Sequence, residues 1–99
     1  MTRDEALFRD MDAAMRAYEA GTIHFREYLN RLEDCVDNLS DAHHAWRETF
    51  RPIWGVMEDI YAYAHFKGQK TIPMDDMPDI EDAMRKLRAM VDEKLGETP

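Results

Sequence analysis

The stretch FREYLNRLEDCVDNLSDA, residues 25–42, decides the fold. Its apolar residues Phe25, Leu29, Leu32, Val36 and Leu39 recur in steps of four and three. That spacing lines one face of a helix and cannot line one face of a strand, whose side chains alternate every second residue. The same rhythm extends upstream through Leu7, Met11, Ala14 and Tyr18. Downstream it runs through Trp46, Phe50, Ile53, Met57, Ile60 and Ala64.

Punctuation residues divide this pattern into helices. Thr2 or Asp4 can cap a first helix running to Ala20, with Asp4 and Glu5 in its favourable first turn. Gly21 then reaches the left-handed conformation that helix C-termini use, and a second helix begins between Thr22 and Phe25. Two traces fit the next region. One turns at residues 38–41, where Asn38, Ser40 and Asp41 compete for backbone hydrogen bonds, and continues as a helix kinked at Pro52. The other carries the second helix on to Arg51. The first is preferred, because Ser40 and Asp41 can cap and a reversal at Arg51-Pro52 leaves few residues for a loop. Gly68 closes the third helix, and residues 69–77 form the longest loop. Pro78 opens a fourth, whose stripe is Met77, Ile80, Met84, Leu87, Val91 and Leu95, with Gly96 as its expected terminator. The prediction is an all-α, antiparallel four-helix bundle occupying residues 1–99 as one domain.

Composition narrows the function. The 99 residues carry 21 acidic and 13 basic side chains, a formal net charge of -8, which repels phosphate backbones and favours a basic partner. Nucleic-acid binding is therefore not expected. Cys35 is the single cysteine, so no internal disulfide can form. The first ten residues, MTRDEALFRD, lack the apolar run of a signal peptide, and no stretch approaches the roughly 18 apolar residues of a membrane span. A cytoplasmic protein without membrane association is the expectation.

No phosphate loop, nucleophile elbow or paired-cysteine motif is present, and neither enzymatic activity nor a cofactor is expected. Asp41, His44 and Glu48 share a helical spacing that could ligate a metal, but a di-iron bundle needs Glu-x-x-His on two helices and this chain has no such pair. A solvated polar face is the preferred reading. His43 falls on the apolar register as a hydrogen-bonded core histidine, and Cys35 sits beside Val36 as packing. The eight methionines mostly fill the stripes; Met74 and Met77, flanking Asp75 and Asp76, are the exceptions suited to a partner contact. Trp54, Tyr61, Tyr63 and Phe66 span more than one side of a helix, so part of that aromatic set must face solvent.

Acidic residues concentrate in two places. Glu33, Asp34, Asp37 and Asp41 follow the second helix; Asp75, Asp76, Asp79, Glu81 and Asp82 occupy a stretch from Thr71 to Met84 free of lysine and arginine. Together they suggest one acidic surface. The segment GTIHFREYL at residues 21–29, with Trp46, Phe50, Trp54 and MEDIYA at residues 57–62, resembles small helical immunity proteins of bacterial toxins, particularly the colicin D immunity type. The resemblance implies an acidic helical bundle that plugs the basic active site of a cognate ribonuclease. On this reading the partner is a basic toxin nuclease domain met by Asp37, Asp41, Asp75, Asp76, Asp79 and Asp82, with Trp54, Tyr61 and Met74 as apolar anchors. The alternative is a helical adaptor or homodimeric scaffold using an aromatic groove.

Overall fold

The computed structural model describes residues 2–97 and contains four α-helices: α1 (Arg3–Glu19), α2 (Phe25–Asp37), α3 (His44–Phe66) and α4 (Met77–Gly96). Single 3-10 turns at Asp41–His43 and Met74–Asp76 lead into α3 and α4. No strand occurs among the described residues. The helices run up, down, up and down, with α1 packed on α2 and α4, and α3 on α4. The molecule measures 43 × 26 × 20 Å.

Each boundary has a local cause. Thr2 stops being helical and its Oγ1 accepts the Glu5 amide at 3.1 Å, filling one of the four amides that a helix start leaves open. At the other end of α1, Gly21 takes φ 76°. The Gly21 amide then donates to the Tyr18 carbonyl at 3.0 Å and the Thr22 amide to Ala17 at 2.9 Å, the paired bonds of a Schellman cap. Gly68, at φ 75°, repeats the arrangement at the end of α3, with Gly68 donating to His65 and Gln69 to Ala64, both at 2.9 Å.

The preferred trace through residues 37–52 is the observed one. α2 stops at Asp37, and the reversal at residues 38–40 is pinned from both neighbours. The Ser40 hydroxyl donates to Asp4 at 2.5 Å, Arg3 donates to the Asn38 side chain at 3.1 Å, and Arg47 donates to the Leu39 carbonyl at 2.5 Å. Pro52 lies inside α3, which remains helical through it. Its ring deprives the Glu48 carbonyl of a partner, yet Glu48, Arg51 and Pro52 are all exposed, so the freed oxygen lies on a side of the helix open to water. α4 ends at Gly96 as expected, but without a left-handed backbone there: Glu97 caps the helix.

The core forms where the four stripes meet. Met11, Leu29, Leu32, Met57, Leu87 and Val91 are fully withdrawn from solvent, joined by Phe8, Tyr28, Val36, Phe50 and Ile80. At about 1.5–3 kcal/mol for each fully buried side chain, this cluster supplies the main driving force for association of the helices. Ion pairs tie its margins. Arg88 of α4 reaches across to Asp12 of α1 at 2.5 Å and also approaches Glu19 and Asp92, while Arg16 holds the other Asp12 oxygen at 2.9 Å. His43 is half-buried, edge-on to Phe8 with ring centres 5.0 Å apart, and its Nε2 lies 3.3 Å from Asp4, as a structural histidine does.

Leu29→Ala is expected to cost about 2–5 kcal/mol in urea unfolding, and Glu48→Ala less than about 0.5 kcal/mol, because only the first leaves a cavity in close-packed surroundings. Asp12 also predicts acid sensitivity. Burial alone raises its pKa, but hydrogen bonds and charge from Arg88 and Arg16 outweigh that and hold the carboxyl below its ordinary value. A carboxyl whose folded pKa lies below its unfolded one contributes its full stability above the unfolded value, about pH 4, and loses it as pH falls through the folded value. Urea midpoints measured from pH 6 downward should therefore drop below about pH 4. The drop should be shallower in Asp12→Asn.

Candidate functional site

The antiparallel order places the second acidic segment at the end of the bundle where α1 and α3 finish and α2 and α4 begin. Asp76 precedes α4, Asp79 and Asp82 occupy its first two turns, and Pro78, which needs no amide partner, fits the helix start. On the adjoining α3, Pro52, Val56, Asp59 and Tyr63 fall on one face and are all exposed. Between the two helices runs a cleft of about 420 Å³ lined by Pro52, Ile53, Val56, Asp79, Asp82, Ala83 and Lys86.

This cleft combines apolar and acidic character. Val56, midway along α3, is 43% exposed, and Tyr63 at 59%, Phe66 at 85% and Met74 at 87% follow towards the end of α3 and the start of α4, an unusual set of large apolar groups to leave in water. Asp75, Asp76 and Asp79 have no ion pair or side-chain hydrogen bond among the described residues. Asp82 differs, because Lys86 at 2.9 Å and Arg85 pair with it; the Lys86 hydrogen bond outweighs a small burial effect and holds its carboxyl below the ordinary value. Three carboxylates that no internal cation neutralises thus stand beside exposed apolar side chains.

The expected site residues do not form a single surface. Asp41 lies in the turn that leads into α3, at the opposite end of that 23-residue helix from the acidic segment, and Asp37 closes α2 on the flank of α3 away from α4. Asp37 is also paired with Arg51 at 2.8 Å. The hairpin-like return of α2 onto α3 causes the separation, since the sequence interval between the clusters holds one whole helix. Trp54 is half-buried in the α2/α3 seam and donates its indole N–H to the Leu29 carbonyl at 3.0 Å, a bond that holds the fold together. Tyr61 packs against Phe25 at 5.6 Å beneath the Arg26 guanidinium, 4.6 Å from its ring centre, and faces a different depression from the acidic cleft. Met74, Asp75, Asp76, Asp79 and Asp82 remain together on the α4 side.

Val56 is a cleft residue that the sequence reading passed over. Its signal was available: Pro52, Val56, Asp59 and Tyr63 are spaced four, three and four, a second stripe beside the core stripe of α3. Arg26 was missed for a different reason. Its pairing with Glu58 of α3 and its position over Tyr61 are long-range contacts with no local signature.

The metal arrangement does not assemble. His44 Nδ1 and Glu48 Oε1 are 4.0 Å apart on exposed helix, and no group of three or more histidine, cysteine or acidic side chains among the described residues is placed to hold an ion. No helix among the described residues is long and apolar enough to cross a membrane. Comparison with protein families, with curated proteins and with solved structures gives no match for this chain.

Cys35 is buried, and burial, reinforced by the negative charge of Asp10, pushes its thiol up to about 11. The thiolate is the reactive form, so native protein at pH 8 should react with a disulfide reagent at least about tenfold more slowly than the urea-unfolded chain. Equal rates in the two states would contradict this placement.

Proposed function

We propose that this chain is a non-catalytic binding protein of the immunity type, which neutralises a basic toxin nuclease by docking it on the α3/α4 face. The observation that carries the reading is the group Asp75, Asp76 and Asp79, which has no ion pair among the described residues, with exposed Met74 beside Asp75 and exposed Val56 across the cleft from Asp79. A nuclease active site is lined by cations that hold phosphates. Carboxylates fixed on a helix start can occupy such a site as a substrate decoy, while their field accelerates encounter. Charge alone gives rate and register, and tight complexes also need buried apolar anchors. Met74, just before the acidic residues, and Val56, on the α3 wall of the cleft, supply candidates of that kind.

The homodimeric scaffold is less well supported at this face. A two-fold contact would bring the same carboxylates of both copies together, and juxtaposed like charges cost several kcal/mol. A basic partner meets no such penalty. The net charge of -8 acts in the same direction over longer range.

Co-expression with the product of the adjacent upstream reading frame tests the proposal. A nuclease that is toxic alone and inhibited in a one-to-one complex is expected. The triple substitution Asp75→Asn, Asp76→Asn and Asp79→Asn should slow association by at least about tenfold at low salt and flatten its ionic-strength dependence. A neighbouring product without nuclease activity, or a complex equally fast and equally salt-sensitive with the triple variant, would overturn it.

A further inference from the structure

A second depression is larger than the acidic cleft. At the same end of the bundle, between the start of α2, the end of α3 and the 67–73 connection, lies an open cavity of about 670 Å³. Its floor is aromatic: Tyr18, Phe25 and Tyr61, the first two with ring centres 5.5 Å apart and the last two 5.6 Å apart. Its remaining wall is rich in donors, with His24, Arg26, His65, Gln69, Lys70 and Thr71. No aspartate or glutamate lines it, in a chain where acidic side chains outnumber basic ones 21 to 13. The protein's charge is thus inverted locally.

The individual groups are available to a ligand. His24 and Lys70 are exposed and have no ion pair among the described residues, and His65 lies parallel to Tyr61 at 6.3 Å. Arg26 is fixed instead. It holds Glu58 and donates to Asn30 at 3.4 Å, which leaves its Nε buried without a hydrogen-bond partner beside the cavity. Arg26 in one wall and the exposed Lys70 and His24 as donors, over an aromatic floor, suit a molecule with a planar apolar body and one anionic group. The volume falls within the ordinary range for small-molecule sites, roughly 300–1,000 Å³.

We infer that this cavity binds a small aromatic anion, its phosphate or carboxylate held by Lys70 and His24 and its ring system laid on Phe25, Tyr18 and Tyr61. The cavity shares no lining residue with the acidic cleft: it draws on α2, the end of α3 and the 67–73 connection, with Met77 at the start of α4 completing its wall. Binding here therefore stands or falls separately from inhibition of a nuclease.

Isothermal titration of the full chain with adenosine monophosphate, 1-naphthoate and uncharged adenosine tests the inference. Saturable one-to-one binding of at least one of the two anions is expected, and which of them saturates distinguishes a phosphate from a carboxylate ligand. Adenosine should bind at least about tenfold more weakly than the anion that saturates, and Lys70→Glu should weaken that anion by about tenfold or more, as loss of a charge-assisted hydrogen bond does. Lys70 and His24 are exposed, so Lys70→Glu and His24→Ala should keep the wild-type circular dichroism and melting temperature. Glu48→Gln, exposed near the start of α3 at the opposite end of the bundle, should leave the affinity unchanged. Failure of both anions to saturate below about 1 mM, adenosine binding as tightly as the anions, or affinity unaltered in the Lys70→Glu, His24→Ala double variant would overturn the assignment.

Discussion

Every surface of this protein depends on drying four apolar stripes against one another at once. Met11, Leu29 with Leu32, Met57 and Leu87 come from four different helices and lose all contact with water together. Short connections at Gly21 and residues 38–40 leave the first three helices no arrangement but antiparallel, and the longer loop before Pro78 brings α4 back to close the square. Once that packing is set, the identity of the residues at each end follows. The starts of α2 and α4 and the ends of α1 and α3 must meet, and so the acidic segment and the cationic cavity become neighbours on different flanks of one end.

The periodic part of this architecture was legible in the sequence because it is local. The four-three spacing, the glycines at positions 21 and 68, the proline at 78 and the polar break at 38–41 each specify backbone conformation within a few residues. Pro52 looked ambiguous for a good reason. Its cost depends on whether the orphaned Glu48 carbonyl faces protein or water, and only the bundle decides that. Gly96 marks the end of α4 without a left-handed cap, because a glycine near a helix end permits one without requiring it.

The candidate sites were less legible, since they are made by juxtaposition. Asp37 and Asp75 both read as acidic surface, and nothing in the spacing of charges reveals that α3 stands between them. Trp54 and Tyr61 read as exposed anchors, whereas the first is bonded to the Leu29 carbonyl and the second is sandwiched near Phe25, Arg26 and His65. His24, His65 and Lys70 carried no motif at all. They acquire meaning only when the end of α3 is laid against the start of α2.

The central claim is that one end of the bundle presents two chemically opposite sites, an acidic docking face on α3/α4 and an anion cavity on α2/α3. Amide chemical shifts recorded while a lysine-rich decapeptide is titrated into the isotope-labelled chain test this most directly. The account predicts shifts concentrated at residues 56–63 and 74–82, abolished by salt, with residues 24–26 and 65–72 undisturbed. Shifts centred on residues 33–41 at the opposite end, or spread evenly over all exposed carboxylates, would contradict it.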